Sequence, residues 1–154
     1  MCRLEGSSLN SVKNQELSIE AGDLQLGHFG IDVPFMHHIG LQSISLEGDC
    51  CRTHLKLKRE LVNSRGDIHG GALMSALDFT LSVVARAHDP LKVGAATIDM
   101  STHFYAPAKS NIDIIATCKR RGKSIAFCEG EVQDGDGVVL AVARAVFKLV
   151  PRQR

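Results

Sequence analysis

The stretch Gly70-Gly71-Ala72-Leu73-Met74-Ser75-Ala76-Leu77-Asp78-Phe79-Thr80-Leu81-Ser82-Val83-Val84-Ala85-Arg86-Ala87-His88 decides how this chain folds. From Ala72 onward it predicts about five turns of helix, apolar almost all round. Such a helix must be buried on most sides, so other elements have to wrap it.

The flanking sequence reads as strand. Upstream, Leu41–Glu47 alternates and ends at a Gly48-Asp49 turn. Arg52–Leu61 then places Thr53, Leu55 and Leu57 on one face and His54, Lys56 and Lys58 on the other. Downstream, Gly94–Ala106 alternates Ala96, Ile98, Met100, Thr102 and Phe104 against Thr97, Asp99, Ser101, His103 and Tyr105. Asn111–Arg120, Lys123–Gln133 and Val138–Val150 follow, joined by Arg121-Gly122 and Asp134-Gly135-Asp136-Gly137 and closed by Pro151. A short helix is expected at VPFMHHIG, with Pro34 near its start. Residues 1–23 are polar and aperiodic and read as a mobile extension; 24–154 read as one domain. The expected class is α+β, an antiparallel β-sheet wrapped around one long central helix.

Composition narrows the function classes. The 154 residues are 44% hydrophobic and 23% charged, which suits one globular domain and not a disordered tail. A net charge of +1 gives no global attraction to nucleic acid or anionic lipid. The absence of Trp and the single Tyr remove the stacking platform of a single-strand binder. The longest nearly uncharged stretch, Gly70 to Ala85, is short for a membrane span and holds Asp78 at its centre. Five cysteines without a C-x-x-C pair argue against a disulfide framework or thiolate zinc site. No apolar leader is evident at the N-terminus, and reduced thiols in the cytoplasm are the expected state.

Asp78 is the residue most in need of explanation. A carboxylate among Leu77, Phe79 and Leu81 loses several kcal/mol of hydration unless it is bonded, paired or protonated. Burial raises a carboxylate's pKa and makes it a better base near neutrality. A structural Asp bonded to a loop amide is the other reading. The second feature is His69-Gly70-Gly71 at the helix entrance, where N–H groups lack acceptors and face the positive end of the dipole. A Gly70 or Gly71 N–H there can hold a carbonyl oxygen that is gaining charge, unless the glycines merely make a turn.

Gly70 and Asp78 are eight steps apart, about 12 Å along a helix. A base must come within about 3 Å of the atom it serves. The two groups therefore cannot meet on one carbonyl within a chain. If both act, a second subunit supplies one of them, and a homodimer with two shared sites is expected.

The pattern Asn63-x-x-Gly66-x-x-His69-Gly70-Gly71 followed by Ala76-Leu77-Asp78 resembles the PaaI-like hotdog-fold acyl-CoA thioesterases. Thr97-Ile98-Asp99-Met100, Phe104-Tyr105-x-Pro107-Ala108 and Gly122-Lys123-x-Ile125-Ala126-Phe127 fit the same family, so the likeness runs from Val33 to Val150. The resemblance implies that Asp78 is the catalytic carboxylate, as nucleophile or as base for water. It implies that the Gly70 N–H polarises the thioester carbonyl and that Asn63 and His69 orient the carbonyl or the water. Thr97 falls where related enzymes often carry Ser; it keeps the hydroxyl and adds a methyl. In this pattern Asn63, His69 and Gly70 come from one subunit, Asp78 and Thr97 from the other. A homodimer, paired into a homotetramer, is implied, with coenzyme A entering only as part of the substrate and no metal.

The basic run Lys119-Arg120-Arg121-x-Lys123 is the candidate dock for coenzyme A phosphates, against the alternative of a solvated turn. Gly71 is placed with the substrate, and in the family Phe35 and Met36 lie near the acyl pocket. His37-His38 has no matching ligands for a metal. Two rival functions remain open: a hotdog enoyl-CoA hydratase or dehydratase, and a non-catalytic acyl-CoA binding or sensing module.

Overall fold

The computed structural model describes residues 28–152; the expected extension, residues 1–23, lies outside the described residues. The elements are α1 (Pro34–Ile39), β1 (Leu41–Glu47), β2 (Cys50–Leu55), a 3-10 turn at Arg59–Leu61, α2 (Gly70–Ala85), β3 (Val93–Phe104), β4 (Ile112–Arg121), β5 (Ile125–Gln133) and β6 (Val139–Pro151). Six strands pair antiparallel in the order β1-β2-β4-β5-β6-β3 and curl round α2. This is the hotdog arrangement, and the α+β expectation holds. The order also makes β3 an edge strand, although it is the first strand after the helix.

Two boundaries move by three or more residues from the sequence reading. The strand expected to reach Leu61 ends at Leu55, because the Leu57 N–H leaves the ladder and donates to Asn111 Oδ1 at 2.9 Å. The helix stops at Ala85, where the Arg86 N–H turns back to the Val83 carbonyl and the Ala87 N–H to the Val84 carbonyl, both at 3.3 Å.

The core lies between α2 and the sheet. Leu73, Leu77, Leu81 and Val84 of the helix are buried, as are Ile114, Ala116, Val132 and Phe147 of the strands. One buried polar pair pins helix to sheet. Thr80 donates its only hydroxyl proton to the Ala76 carbonyl at 2.7 Å. Thr53 of β2 must therefore be the donor in the 2.7 Å bond between the two hydroxyls. At Gly130 of β5 a Cβ would lie 3.1 Å from Leu81 Cδ2 and 3.2 Å from the Ile115 carbonyl oxygen. Only glycine lets the helix approach the sheet that closely.

The helix is not buried all round, as its composition suggested. Gly71, Met74, Ser75, Asp78 and Ser82 form one stripe that the protomer leaves partly or wholly open. Their spacing of three or four residues puts them on a single helix face. The apolar sequence of α2 thus exceeds what one protomer covers.

Candidate active site

Asp78 sits on that open stripe. Full burial, the premise of the sequence reading, does not hold within the protomer, where Asp78 is half-buried. Its partner is Thr97, whose hydroxyl donates to Asp78 Oδ1 at 2.7 Å. Simple alternation would have put Thr97 on the sheet face opposite Met100 and Phe104. A bulge in β3 changes the phase: Thr97 pairs with Phe147, and Asp99 with Val146, leaving Ile98 as the extra residue. Thr97 is thereby turned toward α2 and fixes one carboxylate oxygen, leaving Oδ2 free of protein partners among the described residues.

The helix entrance is built by a self-bonded loop. Asn63 Oδ1 accepts the Arg65 N–H at 2.8 Å and the Asp67 N–H at 3.3 Å, and the Asn63 N–H donates to the Asp67 carbonyl at 2.8 Å. The Asn63 carboxamide oxygen is therefore engaged with its own loop, and its side-chain NH2 remains as the group able to reach a ligand. His69 caps the helix: its Nδ1 accepts the Gly71 N–H at 2.9 Å. That bond assigns the neutral ring its proton at Nε2, on an exposed side chain. The Gly71 N–H is consequently used in the cap. The Gly70 N–H, at the first helical position, has no acceptor among the described residues. The Phe104 ring lies 3.5 Å from where a Gly70 Cβ would be, so Gly70 faces the far part of β3.

Two groups of suitable chemistry thus stand at opposite parts of one edge strand. Thr97 and Asp78 are at one position, Phe104 and Gly70 at the other, and α2 runs unbroken between them. Within one protomer they do not converge.

A model of the thioesterase superfamily matches residues 65–141, the span that contains both groups. The chain belongs to the thioesterase superfamily. This thioesterase-superfamily chain is 31% identical over 94 residues to a Thermoplasma volcanium protein provisionally named as an esterase, covering 60% of this chain and 70% of the relative. A similarly named Halobacterium salinarum protein is 27% identical over 92 residues, 54% of this chain and 61% of the relative. The match therefore spans about three-fifths of that relative's length. Among solved structures, a conserved Pseudomonas aeruginosa protein superposes with a TM-score of 0.73 at 22% identity, over 77% of this chain and 95% of that one. A Haemophilus influenzae thioesterase gives 0.72 at 14% identity, over 76% and 82%. The E. coli PaaI protein of the phenylacetic acid degradation operon gives 0.69 at 17% identity, over 77% and 86%. At these identities the structures establish the fold.

The basic run does not act as a unit. A second bulge, between Cys118 and Arg120, pairs Arg120 with Phe127 and Arg121 with Ala126. Arg121 is thereby turned inward, where Nε donates to the Ala85 carbonyl and one terminal nitrogen to the Val84 carbonyl, both at 2.8 Å. The same nitrogen meets Asp49 Oδ1 at 2.6 Å. Arg121 thus caps the last carbonyls of α2, a structural role beside the phosphate-binding one expected from the sequence. Lys119 is 3.7 Å from Glu129 and lines a cleft of about 830 Å³ with Arg52, His103 and Arg144, on the sheet face turned away from α2. Arg120 and Lys123 are exposed. Met36 is buried in the core while its neighbour Phe35 is 52% exposed.

His37 Nε2 is 3.2 Å from Asp32, and no group of three or more metal-capable side chains forms among the described residues. None of their helices is long and apolar enough to cross a membrane.

Proposed function

We propose that this chain hydrolyses acyl-CoA thioesters to a free acid and coenzyme A, at two sites shared between the subunits of a homodimer. The Asp78–Thr97 hydrogen bond at one position of edge strand β3, with the open Gly70 N–H facing another, carries the reading. An antiparallel β3–β3 pair reverses one strand against the other. With the two-fold axis near Ser101, Thr97 of one copy lies beside Phe104 of the partner, and Asp78 comes to the partner's Gly70. The same pairing satisfies the free ladder groups of β3 and covers Ile98, which is 57% exposed, together with the open stripe of α2.

In that arrangement the thioester oxygen rests against the partner's Gly70 N–H, with the partner's His69 Nε2–H and Asn63 NH2 close by. Asp78 Oδ2 attacks the carbonyl carbon or takes a proton from water that does so, while Thr97 holds the carboxylate in place. Negative charge gathers on the carbonyl oxygen, at the positive end of a helix. Collapse breaks the C–S bond, and the coenzyme A thiolate, a good leaving group, recovers a proton; after direct attack, water then hydrolyses the mixed anhydride left on Asp78, releasing the acid and restoring the carboxylate. The substrate supplies the only coenzyme, and the chemistry needs no metal. Pairing of two such dimers into a tetramer, and a cytoplasmic location, complete the proposal.

Subunit mixing tests it. Asp78→Ala and Gly70→Pro homodimers should each be inactive, while a statistical mixture of the two should recover about a quarter of wild-type thiol release, since half the dimers have one intact site. No recovery in verified heterodimers overturns the shared site. Enoyl-CoA formation or hydration without thiol release would instead support the hydratase, and tight coenzyme A ester binding without turnover the sensor.

A further inference from the structure

Edge strand β3 carries Asp99, Ser101 and His103 on the sheet face turned away from α2, all three exposed and none used by the site. Asp99 and His103 stand two residues either side of Ser101, and neither has an ion-pair partner among the described residues. The backbone restricts how a second strand can add beside them. The Tyr105 N–H donates to the Leu140 carbonyl of β6 at 2.8 Å. Backbone groups alternate along a strand, so those of Asp99, Ser101 and His103 also face β6, and those of Met100, Thr102 and Phe104 point out of the open edge. A second copy of β3 running antiparallel must join these outward groups to one another. The two-fold axis then passes beside a single residue and never between two. Beside Met100 it sets Asp99 against Ser101, and beside Thr102 it sets Ser101 against His103. Beside Asp99 or His103 it sets a titratable group against its own copy. Beside Ser101 it sets Asp99 against the partner's His103, twice.

We infer that two symmetric Asp99–His103 ion pairs across a β3–β3 junction fix the register in which a second copy of this chain docks, and thereby align the shared sites. The inference rests on the proposed hydrolysis at subunit-shared sites and adds what holds the subunits in register. The axis that matches the charges on the outer face is the axis that brings Asp78 to the partner's Gly70 on the inner face. Both pairs fall at non-hydrogen-bonded positions of the junction, where opposed Cα atoms come to about 4.5 Å and side chains are closest. Within the protomer the cleft around His103 holds Arg52 of β2, Lys119 of β4, Glu129 and Glu131 of β5, Arg144 of β6 and Tyr105 beyond the end of β3. Glu129 is engaged by Arg144 at 3.2 Å and by Lys119 at 3.7 Å. On β6, Arg144 and Lys148 lie to either side of Asp99. Histidine takes up its charge as pH falls from about 8 to 5. The dimer therefore binds protons as it forms, and it tightens as pH falls through that window. Asp99 and His103 are positioning residues, which act on the site through the register of β3.

The test uses Ser101→Cys as a gauge of register, because at this axis the two introduced thiols oppose each other. Mild copper–phenanthroline oxidation should join the variant into a dimer through that position, located by peptide mass spectrometry. Adding Asp99→Lys should lower the yield, and Asp99→Lys/His103→Glu, which restores both pairs with signs exchanged, should recover it. Subunit exchange between labelled and unlabelled wild-type protein, followed by native mass spectrometry, should run about tenfold faster at pH 8 than at pH 6. His103→Gln should exchange at the fast rate at both pH values. No recovery in the sign-exchanged variant, or equal wild-type exchange at the two pH values, overturns the ion pairs. Thiol release by a dimer that does not cross-link through Ser101→Cys overturns the junction alone. A dimer cross-linked there that releases no thiol from acetyl, hexanoyl or phenylacetyl coenzyme A overturns hydrolysis alone.

Discussion

The Thr97 hydroxyl donates to Asp78 Oδ1 at 2.7 Å across the gap between β3 and α2, and it does so because a bulge at Ile98 shifts the strand's phase. The contact leaves Asp78 Oδ2 without a protein partner among the described residues. Asp78→Ala should lower kcat by about 10²–10⁴ in an assembly that still forms. Thr97→Val should lower kcat by a smaller factor at unchanged KM, because it frees the carboxylate without removing it. Steady-state thiol release with sedimentation of each variant checks both.

The Gly70 N–H can be deleted without disturbing the helix. Gly70 is the first helical residue, where proline is well tolerated, and His69 at φ −62° and ψ 137° already has the backbone that a following proline demands. Gly70→Pro should therefore keep the melting temperature close to wild type and lower kcat by about 10²–10³.

Arg121 should behave as a structural residue. Arg121→Met removes three hydrogen bonds that cover Val84, Ala85 and Asp49. A loss of about 1–2 kcal/mol in denaturant stability is expected, with KM for acyl-CoA changed little. A large KM effect at wild-type stability would return Arg121 to the substrate.

Gly130→Ala should cost about 1–3 kcal/mol, since the new methyl group meets Leu81 and the Ile115 backbone oxygen inside ordinary contact distance. Urea unfolding measures it.

Stability should fall on acidification through the His28 ring. His28 is buried against Phe79, with Nδ1 bonded to Ser43 and Nε2 without a hydrogen-bond partner among the described residues. Burial, then the charge of His37, lower its pKa, with Asp32 opposing. The unfolded chain thus binds the proton more readily, so the contribution is present above the unfolded pKa near 6.5 and is lost as pH falls through the folded value. Melting between pH 7.5 and 5.5 should show a decline that His28→Asn reduces, because the Asn NH2 can keep the bond to Ser43.

The sequence by itself determined the elements and their chemistry. An apolar helix of this length requires a wrapping sheet, period-two runs supply it, and a helix holding Gly70 and Asp78 eight residues apart cannot bring both to one carbonyl. What only the tertiary structure decided was phase and adjacency. Bulges at Ile98 and beside Lys119 turn Thr97 and Arg121 toward α2, and strand order puts β3 at an edge. Alternation is a local property, readable along one strand. A single inserted residue reverses it at a cost set by the neighbouring strand, and no local pattern records which strand that will be.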